Sequence, residues 1–126
     1  MGDHSAGTRA PLSTQVFQIL LSLADRDLHG YAIIQDVAAR TDGEVRLTAS
    51  TLYAAVKRLL DAGWIAERSK RPPASADDPR RRYYGLTPGG RAAARDEARR
   101  LQRLADMARY KRLLPALRPS SAPKES

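Results

Sequence analysis

The chain contains no cysteine, which removes disulfide staples, thiolate metal sites and thiol nucleophiles at one stroke. Histidine is nearly as scarce. His4 and His29 stand apart, with no second histidine or acidic partner at metal-ligand spacing, so neither a metal nor a catalytic site is expected. There is no glycine-rich phosphate loop either, and an enzyme is a poor reading. Aromatic residues make up only 6%, with one Phe and one Trp. No apolar run approaches the roughly 20 residues that span a bilayer, and no basic-then-apolar leader opens the chain. A soluble cytoplasmic protein without a cofactor or membrane partner is the expectation. Acid is in the minority: 22 Lys and Arg face 14 Asp and Glu, a net +8 over 126 residues. That excess on a chain of one-domain length points to a polyanion, nucleic acid ahead of a membrane surface.

The most informative stretch runs from Thr48 to Trp64. Leu52, Val56, Leu59 and Leu60 recur at helical spacing and define a buried side. Thr48 suits the N-cap, because its hydroxyl can accept an amide of the first turn, and Gly63 suits the C-terminal stop. The opposite side carries Ser50, Tyr53 and Lys57, flanked by Thr51, Ala54 and Arg58. Hydrogen-bonding and cationic groups on a slim surface fit a helix that enters a DNA major groove. The same pattern also describes an ordinary amphipathic helix with a solvated face. Tyr53 likewise reads either as a donor to DNA or as a ring packed on the fold with its hydroxyl exposed.

In chain order, residues 1–11 are small and polar and read as a loose tail. A first helix over residues 13–24 carries Val16, Ile19, Leu20 and Leu23 on one side, widened by Phe17 and Leu21. A stripe that broad should meet a second partner surface as well as the core. Asp27 is the candidate cap of a second helix over residues 28–40, with Ile33, Ile34, Val37 and Ala38 facing inward. His29 reads as a helix-start residue, and Tyr31 could give its hydroxyl to a phosphate beside the first free amides. Residues 44–47 could form a short extended segment. Past Gly63 the period changes, and residues 64–69 and 81–87 are strand-like. Tyr84 and Leu86 are the core candidates there, with Arg81 and Tyr83 on the other side. Trp64 reads as a core or hinge anchor. Between the strands, residues 70–80 hold three prolines and read as a long hairpin tip.

Thr87 is the expected N-cap of a last helix, with Pro88 at its first position, running to about Leu114. Ala94, Ala98, Leu101, Ala105 and Ala108 make a narrow stripe with Leu104 and Met107 beside it, among eight cationic side chains. A helix so long and so thinly apolar should pair with another chain. The expected division is therefore a tail (1–11), a DNA-binding unit (12–87), a dimerisation helix (88–114) and a disordered tail (115–126).

Helix, helix, helix, strand, strand, helix is the order of a winged helix-turn-helix, mainly α with a small β-hairpin. His29-Gly30-Tyr31, then Ser50-Thr51-Leu52-Tyr53 with Lys57-Arg58-Leu59 and Gly63, then Arg82-Tyr83-Tyr84-Gly85-Leu86-Thr87 with Gly90-Arg91, resemble the PadR-like transcriptional regulators. The likeness covers roughly residues 13–114. It implies a homodimeric bacterial repressor whose last helix crosses its partner, with the first helix joining that interface. On this view Val16, Ile19, Leu20 and Leu23 meet the partner together with Ala94, Ala98, Leu101, Leu104, Ala105 and Ala108. The groove-facing set is Ser50, Thr51, Tyr53 and Lys57, with Thr48 and Arg58 adjoining, and the wing is served by Lys70, Arg71, Arg80, Arg81 and Arg82. Asp77 and Asp78 are candidate partners of those arginines in the free protein. The resemblance further implies release of DNA by a small, often aromatic effector, whose identity the sequence does not give. Two departures stand out: Ser50 occupies a position often glycine in the family, and the last helix lacks the tryptophan that stacks ligands in the drug-binding subgroup. The rival reading is a winged-helix adaptor whose basic surface docks an acidic protein.

Overall fold

The computed structural model describes residues 10–68 and 81–117. Residues 1–9, 69–80 and 118–126, among them Lys70, Arg71, Asp77, Asp78 and Arg80, lie outside the described residues.

The elements follow the expected order with one addition. Helix α1 is Thr14–Ser22, a two-residue strand β1 is Leu28–His29, and α2 is Gly30–Arg40. Helix α3 is Ala49–Ala62, β2 is Ile65–Arg68, β3 is Tyr83–Leu86, and α4 is Pro88–Tyr110. The caps are those the local sequence dictates. Ser13 accepts the Val16 amide at 3.1 Å, Thr48 accepts the Thr51 amide at 3.1 Å, and Thr87 accepts the Gly90 amide at 3.0 Å. Gly63 ends α3 in the left-handed region at φ 78°, where a side chain would be strained.

One aliphatic core joins α1, α2, α3 and the sheet. Ile19, Leu20, Ile33, Val37 and Leu52 are fully buried, with Val56, Leu59, Ile65 and Leu86 around them. Side chains of this kind each contribute about 1.5–3 kcal/mol on burial. Within α3 the inner side is Leu52, Ala55, Val56 and Leu59, whereas Leu60, expected inside, is exposed. Residues 44–47 form no strand, although Leu47 is buried in the core.

The sheet is antiparallel in the order β1-β3-β2. Leu28 pairs with Tyr84 and His29 with Tyr83, while Ile65 pairs with Leu86 and Arg68 with Tyr83. This arrangement corrects two expectations. Because Leu28 and His29 are held extended against β3, α2 starts later than Asp27 would allow, and its cap is His29, whose Nδ1 accepts the Ala32 amide at 3.1 Å. Asp27 turns instead towards Arg68, 3.9 Å away. Tyr83 is buried rather than outward, because β3 is the middle strand and the His29 ring stands edge-on against it at 5.3 Å.

A polar clamp fixes α1 on α2. Ser22 Oγ donates to Asp36 at 2.7 Å and accepts from Arg40 Nη2 at 2.7 Å. Arg40 also reaches Asp36 through Nε at 2.8 Å, and the side-chain oxygen and backbone carbonyl of Gln18. Burial works to raise the Asp36 pKa, but the Arg40 and Ser22 hydrogen bonds and the Arg40 and Arg26 charges outweigh it and hold it below the usual value.

Helix α4 leaves the sheet through Thr87. Its hydroxyl donates to the Gly63 carbonyl at 2.6 Å and its amide to the Trp64 carbonyl at 3.0 Å. Trp64 packs, half-buried, against the core as an anchor beside this joint. Only the first half of α4 is covered, at Gly90, Ala93 and Glu97. Glu97 takes Arg100 Nη2 at 2.5 Å and the Leu12 amide at 3.3 Å, which ties the segment before α1 to α4. The helix stops at Tyr110, before the expected Leu114, because the backbone reverses at Arg112 with φ 67°.

Candidate nucleic-acid interface

The outward side of α3 is built by the same periodicity that buries its inner side. Ser50, Tyr53 and Lys57 follow one another along it at three- and four-residue steps, with Arg58 exposed alongside and Thr51 half-exposed. At its start the Thr48 hydroxyl is 3.0 Å from Thr51 Oγ1 and 3.5 Å from Ser50 Oγ, so three hydroxyls cluster at the leading end of the helix. Lys57 lies 3.7 Å from Asp61, but both side chains are well exposed, and such a pair is worth little and yields readily to a stronger anion.

Two further elements extend this surface. Tyr31, on the first turn of α2, is 58% exposed. Tyr53 is 49% exposed and lies over Gly30, where a side chain would collide with its hydroxyl and ring carbon. The ring therefore packs on the fold over Gly30 while about half of the residue remains at the surface. Arg81 and Arg82 enter from the foot of the wing. Arg81 Nη1 stands 3.1 Å from His29 Nε2, and Arg82 Nη1 donates to Glu67 at 3.0 Å across the hairpin. Among the described residues the wing arginines thus have Glu67 as an acidic neighbour, in addition to the aspartates considered from sequence.

His29, Gly30, Tyr31, Tyr53, Arg81, Arg82 and Tyr84 enclose a recess of about 340 Å³. Burial pushes the Tyr84 hydroxyl pKa up, helped by Tyr53 and Glu67, so it remains protonated. Sequence reasoning missed His29 and Tyr84 as members of one site. Their only local signal is the His29-Gly30-Tyr31 triplet, since the pairing of β1 with β3 brings them together.

The residues expected at a partner interface divide. Ile19, Leu20 and Leu23 are buried in the chain's own core, where α2 and α4 pack on α1. Val16 is half-buried against the same core, and Leu21 is the exposed aliphatic residue of α1. On α4, Ala94 packs on the core, Ala105 and Ala108 are half-exposed, and Ala98, Leu101 and Leu104 are exposed. Beyond them Met107 is 59% and Tyr110 85% exposed, an apolar surface without a cover among the described residues. No group of His, Asp and Glu among the described residues has the spacing of a metal site, and no helix there is long and apolar enough to cross a membrane.

The model of the transcriptional regulator PadR-like family matches residues 19–96, from α1 into the first half of α4. The chain belongs to that family. As a PadR-like protein it is a transcription regulator and not an enzyme. Among solved structures it is similar to a transcriptional regulator from Clostridium thermocellum, with TM-score 0.62 and 26% identity over 79% of this chain and 92% of that one. A PadR family regulator from Clostridium difficile superimposes with TM-score 0.65 and 23% identity, covering 79% and 98% of the two chains. Bacillus subtilis PadR, solved in complex with operator DNA, matches at TM-score 0.51 and 22% identity over 91% of this chain and 55% of that one. No curated protein matches the chain by sequence.

Proposed function

We propose that this PadR-like regulator is a homodimeric, sequence-specific DNA-binding repressor that sets α3 of each protomer into a major groove. The observation that carries the reading is a continuous exposed surface of hydroxyls and cations: Thr48, Ser50, Thr51, Tyr53, Lys57 and Arg58 on α3, Tyr31 on α2, and Arg81 and Arg82 at the wing. Lys70, Arg71 and Arg80 extend the same wing in sequence and belong to the proposal on that ground. The excess of positive charge supports a nucleic-acid partner. The operator complex of Bacillus subtilis PadR supports it from the side of the fold.

Dimerisation is supported by the uncovered apolar half of α4, where Leu101, Leu104 and Met107 lie exposed. Residues 12–87 then form the DNA-reading unit and α4 the dimerisation unit, with the two α3 helices about one helical turn apart, roughly 34–36 Å. Ser50 and Tyr53 read bases, whereas Arg81 and Lys57 hold phosphates.

Fluorescence anisotropy on the promoter upstream of the protein's own coding region, against random duplex, tests this. Tyr53→Ala should lose about tenfold or more on the preferred sequence and little on random DNA. Arg81→Ala should weaken both alike and reduce the salt slope by about one unit. Equal losses on both duplexes for Tyr53→Ala would remove it from base reading.

A further inference from the structure

We propose that Gly30 is a positioning residue for DNA reading: the bare backbone at the start of α2 seats the Tyr53 ring and fixes how α3 presents it. Duplex preference then depends on a residue with no side chain of its own. The seat stands on the geometry of the chain, and its consequence for DNA rests on the base reading by Tyr53 proposed above.

Gly30 is not a glycine for the sake of its backbone. It is the first residue of α2, it is buried, and it takes none of the left-handed φ values of Gly43 and Gly63. In a helical backbone alanine is the better residue, and glycine is the poorest after proline. What glycine supplies here is space. An added Cβ would strike the Tyr53 hydroxyl, would stand 2.7 Å from Tyr53 Cζ, and would come within 3.1 Å of Leu52 Cδ2.

The two neighbours would answer such a Cβ differently. Leu52 is fully buried in the close-packed core and has no space to retreat into. Tyr53 is half exposed, so its ring is the group that yields. The ring cannot simply ease aside, because side-chain torsions occupy separate staggered wells and the next well lies far from the first. A methyl group at residue 30 therefore sends Tyr53 to another rotamer while the core and the α3 backbone stay where they are.

The seat matters because Tyr53 shares the outward side of α3 with Ser50 and Lys57. A half-exposed side chain without support samples several rotamers and has to be ordered when DNA binds. One that already rests on Gly30 has met that cost in advance. Hydrogen bonds also weaken steeply with misalignment, so a displaced ring loses its contact outright. Gly30, buried beneath the ring, acts on the duplex only through Tyr53.

Two measurements on the full chain test this. In protein carrying ring-labelled tyrosine, NMR should show nuclear Overhauser effects between the Tyr53 ring and the Gly30 α-protons. Gly30→Ala should shift the Tyr53 ring resonances and leave those of Tyr110 in place. In DNA anisotropy, Gly30→Ala should cut the ratio of affinities for preferred and random duplex about tenfold, as Tyr53→Ala does. Adding Gly30→Ala to Tyr53→Ala should change that ratio no further, because the ring that the methyl group displaces is gone. A purely structural defect would instead weaken both duplexes in proportion and persist without the Tyr53 ring. A Tyr53 ring that stays in place in Gly30→Ala overturns the seat, as does a Gly30→Ala change that unfolds the chain in both backgrounds. Losses of preference that add in the double variant overturn the action through Tyr53. A ring that moves while the preference survives, with Tyr53→Ala losing it, overturns the role of Gly30 and leaves base reading standing. If Tyr53→Ala itself keeps the preference, base reading fails and the role of Gly30 in DNA reading falls with it, while the NMR still reports the seat.

Discussion

The two halves of α4 are written in the same vocabulary of alanine and arginine, yet only the first is built into the protomer. Gly90, Ala93 and Glu97 are buried against the sheet and the segment before α1, and Ala94 packs on the core. From Ala98 onward the helix carries larger apolar side chains, Leu101, Leu104, Met107 and Tyr110, and exposes them. The fold thus covers the small residues and leaves the large ones uncovered. Small side chains let a helix approach a neighbour closely, while large exposed ones lack a neighbour among the described residues. In the proposed dimer the first half belongs to the stability of one protomer and the second to assembly.

That division can be broken at three places. The largest effect is expected from Leu104→Asp, because a twofold interface would bury the new charge twice. Sedimentation should show the dimer dissociation constant raised about a thousandfold, with the melting of the monomer unchanged. A variant that stays dimeric removes the distal half of α4 from the interface.

Gly90→Ala acts on the other half. The new Cβ would collide with the backbone carbonyl of Trp64, which has no flexible end to move. A loss of about 1–3 kcal/mol is expected in denaturant melts, independent of protein concentration. A loss that disappears on raising the concentration would place Gly90 with the assembly residues instead.

Glu97→Gln gives the smallest change, about 1 kcal/mol at neutral pH. The Arg100 hydrogen bond, opposed by burial and aided by the Leu12 amide, holds the Glu97 carboxyl below its ordinary value. Its stabilisation is therefore complete above the unfolded pKa of about 4.3 and is lost as pH falls through the lower folded value. Wild-type melting temperature should fall more steeply than that of the variant as pH is lowered from about 5 towards 2. Parallel curves would remove Glu97 from the linkage, and Asp36 would account for the acid sensitivity common to both.

The same contrast between local and distant contacts decides what the sequence could tell. The caps at Thr48, Gly63 and Thr87 were legible because each is a bond between a side chain or backbone group and its own next turn. The α3 surface was legible for the same reason. Strand β1 was not, since two residues carry no alternation and exist as a strand only through Tyr83 and Tyr84, far along the chain. That pairing moved the α2 cap from Asp27 to His29 and buried Tyr83. The clamp of Ser22, Asp36 and Arg40 was equally hidden, because these residues look like ordinary solvated side chains until α1 and α2 cross. The recess at Tyr84 unites three stretches of chain, and no single window contains it.

Thr87 is the joint between α3 and α4. A single hydroxyl grips the last carbonyl of the α3 turn and receives the first amide turn of α4. In the proposed dimer the reading helix and the pairing helix are thus coupled through this one contact. There, sliding or twisting of the two α4 helices against each other would be transmitted to the two α3 helices through that joint.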